Sequence, residues 1–388
     1  MTLRTRLVVL LVSTPLVAFA VIGGLMGRAS AREDDTYKHL RVFEDVVSLI
    51  TSNYVEDVDV DRVMEGAMQG LADGLDPDSA YLTPAQVTAI ERGAVAQAGT
   101  GLTLTRQFYL RVLAVRDGSP ASRAGLRAGD YLRAIDGRST RTMSVVDGRQ
   151  ALDGPAGTKV TVTILRGSAA EPQDIVVERA PLSTETVTQR IVRDGVGYVR
   201  VAAFTGTTAD ETAGALRALQ QAGASSVVID LRGTSDGTVE AAVAVARLFV
   251  AKGVLVQHEE RDKAVEKIEA SAGDGSVAVP IALLSSVGTS GPAEVFVAAL
   301  VDNGRAELVG ERTFGRAAEQ SLVRLPDGSG LWLTTGRYLM PSGKAISGNG
   351  LEPTVAVEEP EIDTEAPPAV TDPILDTAVG RLAARKAA

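Results

Sequence analysis

Side chains able to act as nucleophiles, bases or metal ligands near neutral pH are scarce in this 388-residue chain. Cysteine is absent, which excludes disulfides, thiolate metal sites and a cysteine nucleophile. His39 and His258 are the only histidines, so a three-histidine metal centre cannot form and a Ser-His-Asp triad would have to use one of these two. His258 stands beside the polar run Glu259-Glu260-Arg261-Asp262 and reads as exposed. A desolvated lysine can replace imidazole as a base, because burial disfavours its charged form, but the chain holds only seven lysines. Hydrolytic chemistry would have to work almost without histidine. The net charge of −10, from 39 basic against 49 acidic residues, argues against a wide nucleic-acid surface. Nothing in the pattern calls for a metal or an organic cofactor.

The elements that must position any such chemistry fall into successive blocks. Arg4 and Arg6 precede mostly apolar residues from Leu7 to Met26 and the small triplet Ala29-Ser30-Ala31, so 1–31 reads as an export signal or an uncleaved anchor. That places the rest of the chain outside the cytoplasm, in the periplasm or on the outer face of the cytoplasmic membrane, with membrane contact through this segment alone. Residues 32–97 read as helical, with Val42, Val46, Leu49 and Ile50, then Val63, Ala67 and Leu71, at helical spacing. Thr83-Pro84 suits an N-cap and first helical position. From 98 to 182 short strands broken by glycine predict a compact β-rich module. From 183 to 357 strands and helices alternate, which predicts an α/β core with a largely parallel sheet. An acidic, proline-containing linker, 358–372, leads to a terminal helix, 373–388, with Ile374, Leu375, Ala378, Val379 and Leu382 on one face.

Within the β-rich module, Gly118-Ser119-Pro120 through Leu126-Arg127-Ala128-Gly129-Asp130, then Ala134-Ile135-Asp136-Gly137, resembles the most recognisable stretch of bacterial PDZ domains. Such modules take up extended C-terminal peptides by strand addition, and Gly101-Leu102-Thr103-Leu104 is the best candidate for the loop holding the terminal carboxylate. Asn53-Tyr54-Val55, Leu75-Asp76-Pro77, Asp230-Leu231-Arg232, Glu294-Val295-Phe296, Asp302-Asn303-Gly304-Arg305, Thr313-Phe314-Gly315 and Tyr338-Leu339-Met340-Pro341-Ser342-Gly343 extend the likeness. Over nearly its whole mature length the chain resembles the C-terminal processing peptidases, the tail-specific protease family. The resemblance implies an α+β and α/β multidomain fold: an N-terminal helical segment, a PDZ domain and an α/β (crotonase-like, ClpP-related) peptidase core. It also implies a Ser-Lys pair that cleaves bound peptides, and it allows a homodimer.

At the positions where the family carries that chemistry, the residue types are wrong. The run Thr289-Ser290-Gly291-Pro292-Ala293-Glu294 puts Gly291 at the nucleophile position, and Thr313-Phe314-Gly315-Arg316 puts Arg316 at the base position. Arginine does not deprotonate in proteins. Gln320, matching the glutamine that supports the family lysine, is retained. Pro292 follows the nucleophile position and has no N–H to offer an oxyanion. The loop expected to supply the second oxyanion donor reads Gly233-Thr234-Ser235-Asp236-Gly237, and a carboxylate at Asp236 would repel developing charge if it pointed inward.

These substitutions favour an exported pseudoprotease that binds protein C-termini, or a partner envelope protease, without cutting. The alternative is an active, divergent serine endopeptidase that uses Ser290 with His258 or Lys344 as its base, with Lys344 otherwise a surface cation. Arg316 would bind a peptide carboxylate, fix Asp302 or Gln320, or be merely solvated.

Overall fold

The computed structural model describes residues 37–92, 98–167, 171–359 and 371–387; the 1–31 segment and residues 360–370 of the acidic linker lie outside them. Two compact units are formed, Met1–Met68 and Gln69–Ala388. In the first, a helix over 37–53 forms as its periodicity predicts, but Leu40, Val42, Val46 and Leu49 are exposed. A second helix, Val60–Asp73, starts with Asp61 in its first turn, where a negative charge complements the helix dipole.

The second unit opens with a feature the sequence hid. Within the turn-rich 75–84 stretch, Ala80–Leu82 forms a three-residue strand that pairs antiparallel with Gly330–Trp332. The residues expected to belong to a helical N-terminal region thus supply a strand to a sheet of the core. Thr83 then caps the helix Pro84–Glu91, its N–H donating to Gln86 Oε1 at 2.9 Å.

An antiparallel sheet in the order Leu102–Arg106, Leu110–Val115, Tyr131–Ile135, Lys159–Leu165, Gln173–Glu178 makes up the β-rich module. Its alternating apolar faces bury Leu110, Leu132, Val160, Val162 and Ile164 against the helix Val145–Leu152. That helix sits close because Gly148 has no side chain: a Cβ there would stand 2.3 Å from Leu110 Cδ1 and 3.0 Å from Leu104 Cδ1.

The core sheet runs Val355–Ala356, Ala306–Gly310, Ile281–Ser285, Ser226–Asp230, Val196–Val201, Val187–Ile191. All neighbours are parallel except the last pair. Every residue of Ser226–Asp230 and Ile281–Ser285 is buried, as central parallel strands covered on both faces must be. Thr208–Gln221, Val239–Ala246 and Pro292–Asp302 cover one face. The helix Pro373–Ala387 covers the other through Ile374, Ala378, Val379 and Leu382, so the stripe read from sequence is spent on this chain's own sheet.

A second sheet joins Ala80–Leu82, Gly330–Leu339, Val254–Glu260 and Glu266–Glu269, with Ala318–Arg324 also on Gly330–Leu339. The 254–269 hairpin corrects the reading of His258 as an exposed residue of a polar run. Its imidazole stacks on Tyr338 at 4.9 Å between centroids, with Nε2 2.8 Å from Glu319 Oε2.

Candidate functional site

The parallel strand Ile281–Ser285 feeds a tight turn that starts the helix Pro292–Asp302. Thr289 donates its hydroxyl to the Leu231 carbonyl at 2.8 Å, and Ser290 N–H donates to the Thr234 carbonyl at 3.0 Å, pinning the turn to the 231–235 loop. Gly291 stands at its apex with φ 59° and ψ −120°. That is the geometry of a nucleophile elbow, strained for any residue with a Cβ. Space for a side chain survives: a Cβ would find nothing closer than Ser235 O at 3.8 Å and Arg316 O at 4.0 Å. The elbow is present and its hydroxyl is missing.

Pro292 fills the first helical position, where its fixed φ suits the helix and its nitrogen would otherwise carry a free N–H. Ser290, one residue early, is 1% exposed, and its Oγ has no hydrogen-bond partner among the described residues. Neither proposed base reaches it. His258 is engaged with Tyr338 and Glu319, and Lys344 lies exposed on the turn after Pro341.

The position expected to hold the base is occupied differently from every role the sequence suggested. Arg316 Nε donates to Asp78 Oδ2 at 2.9 Å, Nη2 lies 2.6 Å from Asp78 Oδ1, and Nη1 donates to the Leu104 carbonyl at 3.0 Å. One guanidinium therefore ties the core to the 75–84 stretch and to the edge strand of the PDZ-like sheet. It touches neither Gln320 nor Asp302. Gln320 Oε1 accepts from Trp332 Nε1 at 2.8 Å, and Asp302 accepts from Ser342 N–H at 2.6 Å. Burial pushes the Asp78 carboxyl above its ordinary range, opposed by the Arg316 charge and reinforced by Asp76.

Glu294, quoted above only as part of a motif, organises the whole site. Fully buried, it accepts from Thr313 Oγ1 at 2.5 Å and Gly315 N–H at 2.6 Å on one oxygen. Its other oxygen accepts from Gly291 N–H at 3.0 Å and Arg316 N–H at 2.8 Å. Four donors from both halves of the site converge on a carboxylate. Burial raises its pKa, and those four bonds pull it back. A glutamate three residues after a helix cap was the available signal.

The oxyanion-loop residues are also turned elsewhere. Gly237 pairs with Phe204 at φ 119°, where a Cβ would stand 2.0 Å from the Phe204 carbonyl oxygen. Asp236 does not point at Gly291; Oδ1 lies 3.4 Å from Thr103 Oγ1 and Oδ2 3.8 Å from Arg116 Nη1. Ser235 Oγ donates to Thr103 Oγ1 at 2.7 Å.

The expected carboxylate loop contacts the core through a carbonyl and a hydroxyl. Gly101, at φ 79°, passes so close to Ser119 that a Cβ would lie 2.4 Å from its Cβ, and its carbonyl accepts from Arg116 N–H at 2.9 Å. Leu102 begins the edge strand, Thr103 is held by Ser235 and Asp236, and the Leu104 carbonyl is taken by Arg316. One carbonyl and one hydroxyl of this edge strand are thus engaged with the core.

The Asp-Leu-Arg motif is a staple. Arg232 pairs with buried Asp230 at 2.5 Å and with Asp372, at the start of the terminal helix, at 2.8 Å. Burial would raise Asp230, but Arg232 and Arg200 hold it below the ordinary carboxylate range.

Similarity to known proteins follows the same division of the chain. Residues 195–357 match peptidase family S41, 111–166 match the PDZ domain, and 24–85 match the N-terminal domain of the activating protease CtpB. A carboxy-terminal-processing protease of Bartonella bacilliformis is 31% identical over 335 residues, 84% of this chain and 77% of that protein. The carboxyl-terminal-processing protease of Synechocystis is 34% identical over 74% of this chain and 69% of its own length. The solved photosystem II D1 C-terminal processing protease superposes with a TM-score of 0.69 at 28% identity, covering 81% of this chain and 92% of that one.

Proposed function

The chain belongs to the carboxy-terminal-processing proteases, the PDZ-containing S41 peptidases, and from that premise we propose that it binds polypeptide C-termini without cleaving them. The observation that carries this reading is the elbow at Gly291, shaped for a nucleophile and lacking one, beside a base position whose arginine is committed to Asp78. Pro292 adds to it by withholding an oxyanion N–H. Ser290, buried and without a base in reach, supports no rescue.

The arginine-flanked apolar 7–26 stretch supports export, so we place the bound partners in the cell envelope. The decisive test is incubation of the purified mature protein with an unstructured substrate ending in apolar residues, beside a Ser290→Ala control. No cleavage by either is expected, and cleavage abolished by the substitution would overturn the proposal. Binding is read by titrating peptides with free or amidated C-termini, the free acid being expected to bind more tightly. Fractionation of cells, with recovery of the protein in the cytoplasm, would refute the export proposal.

A further inference from the structure

The sheet of the PDZ-like module ends on Leu102–Arg106, which pairs on one side only, with Leu110–Val115. Main-chain groups along such a strand point alternately to its two sides. The Gly101 carbonyl turns inward, to Arg116 N–H at 2.9 Å. Leu104, three residues on, stands opposite Val112, whose N–H donates to the Asp130 carbonyl and whose carbonyl accepts from Gly129 N–H, both at 2.8 Å. Val112 therefore has nothing to offer Leu104, and the Leu104 carbonyl faces the open edge. Arg316 Nη1 donates to it there at 3.0 Å. The guanidinium is fixed in that place, with Nε and Nη2 at 2.9 and 2.6 Å from the two Asp78 carboxylate oxygens. Ser235 on Thr103 and Arg200 on Asp117, each at 2.7 Å, also hold the module against the core.

We infer that Arg316 gates this edge: the main chain of an incoming polypeptide takes the Leu104 carbonyl only by displacing the guanidinium, so the unliganded chain opposes its own peptide binding. Strand addition needs outward carbonyls for the N–H groups of the added strand, and Leu104 is the middle residue of the five-residue edge strand. The arginine bonds a carbonyl, not an N–H, so the gate opposes strand addition and leaves capture of the terminal carboxylate alone. A hydrogen bond to a charged group is worth a factor of about ten or more. The edge is then open in about one molecule in ten at most, and the apparent affinity falls by that fraction. The gate presupposes the proposed binding of C-termini and adds what holds it back.

The full mature chain is titrated with a fluorescent decapeptide ending in Leu-Ala-Val, as free acid and as amide. Arg316→Met keeps the aliphatic stem, removes every donor, and is expected to tighten free-acid binding at least about tenfold, with the amide gaining in proportion. Asp78→Asn, which loosens the guanidinium, is expected to tighten binding by a smaller factor and decides the matter if Arg316→Met does not fold. A merely structural arginine would not give this gain, because loosening a scaffold weakens the site it supports or leaves it unchanged. Free-acid binding by the wild type that Arg316→Met leaves equal or weakens would overturn the gate and leave the proposed function standing. Weakening confined to the free acid would make Arg316 a carboxylate ligand and overturn the gate in the same way. No binding of either peptide by the wild type or the variants would overturn both.

Discussion

Rebuilding a serine, a lysine and an N–H at positions 291, 316 and 292 tests the proposal that these positions keep the site from cleaving. Gly291→Ser should fold, because the nearest atoms to the new Cβ are 3.8 and 4.0 Å away. The positive φ makes it strained by about 1–3 kcal/mol. It should remain inactive, since Arg316 cannot take the proton. Adding Arg316→Lys should still fail, for a reason specific to this chain. The lysine would sit near Asp78, whose oxygens now lie 2.6 and 2.9 Å from the guanidinium. An opposite charge within about 4–6 Å raises a lysine pKa by about 1–3 units, cutting the neutral fraction about 10- to 1,000-fold. Pro292 removes a further factor of about 10²–10³ by lacking the oxyanion N–H. Activity on an unstructured protein substrate is therefore expected to emerge only in the combination Gly291→Ser, Arg316→Lys, Asp78→Asn and Pro292→Ala. Reverting Pro292 or Asp78 singly should each cost at least about tenfold in kcat/KM. Cleavage by Gly291→Ser alone, at a level comparable with the combined variant, would refute the reasoning.

Other perturbations bear on what holds the site together. Glu294→Gln offers one oxygen to four donors, so about two lose their partner, and urea unfolding is expected to show a loss of about 2–4 kcal/mol. Because burial raises Glu294 in the folded chain, its contribution is largest below the unfolded pKa and fades as pH rises through the folded value. The variant should flatten the wild-type stability profile across that acidic window, and an unchanged slope would assign the pH dependence elsewhere. Arg316→Ala leaves Asp78 and the Leu104 carbonyl without a donor, with about 2 kcal/mol expected to be lost, less than a fully buried pair because both side chains are partly exposed. A double-mutant cycle with Asp78→Ala should return a coupling of about 1–2 kcal/mol. Arg232→Ala removes the guanidinium that links buried Asp230 to Asp372, so hydrogen exchange should accelerate in the 373–387 helix before the central strands.

Several elements were legible because local physics writes them. The terminal helix shows its buried stripe as a 3.6-residue period, and the 281–285 strand shows as the apolar run Ile281–Leu284. Thr83-Pro84 announced its cap. By contrast, Ala80–Leu82 is three residues long and is a strand only because Gly330–Trp332 supplies its partner. The 254–260 strand ends in Gln257-His258-Glu259-Glu260, a polar run whose pairing partner Gly336–Leu339 lies far along the chain. No periodicity records either pairing.

For the site the same line divides what was readable from what was not. Residue type alone settles that Gly291 has no nucleophile, that Arg316 is no base and that Pro292 donates nothing, because these are properties of single side chains and backbone nitrogens. Partnership is a property of distance. Arg316 meets Asp78 across 238 residues of sequence and the Leu104 carbonyl across 212, and Glu294 gathers donors from a loop about twenty residues away. Only the folded chain brings these groups within hydrogen-bond reach, and so only it decides that Arg316 ties Asp78 to the Leu104 carbonyl and that Glu294 joins the two halves of the site.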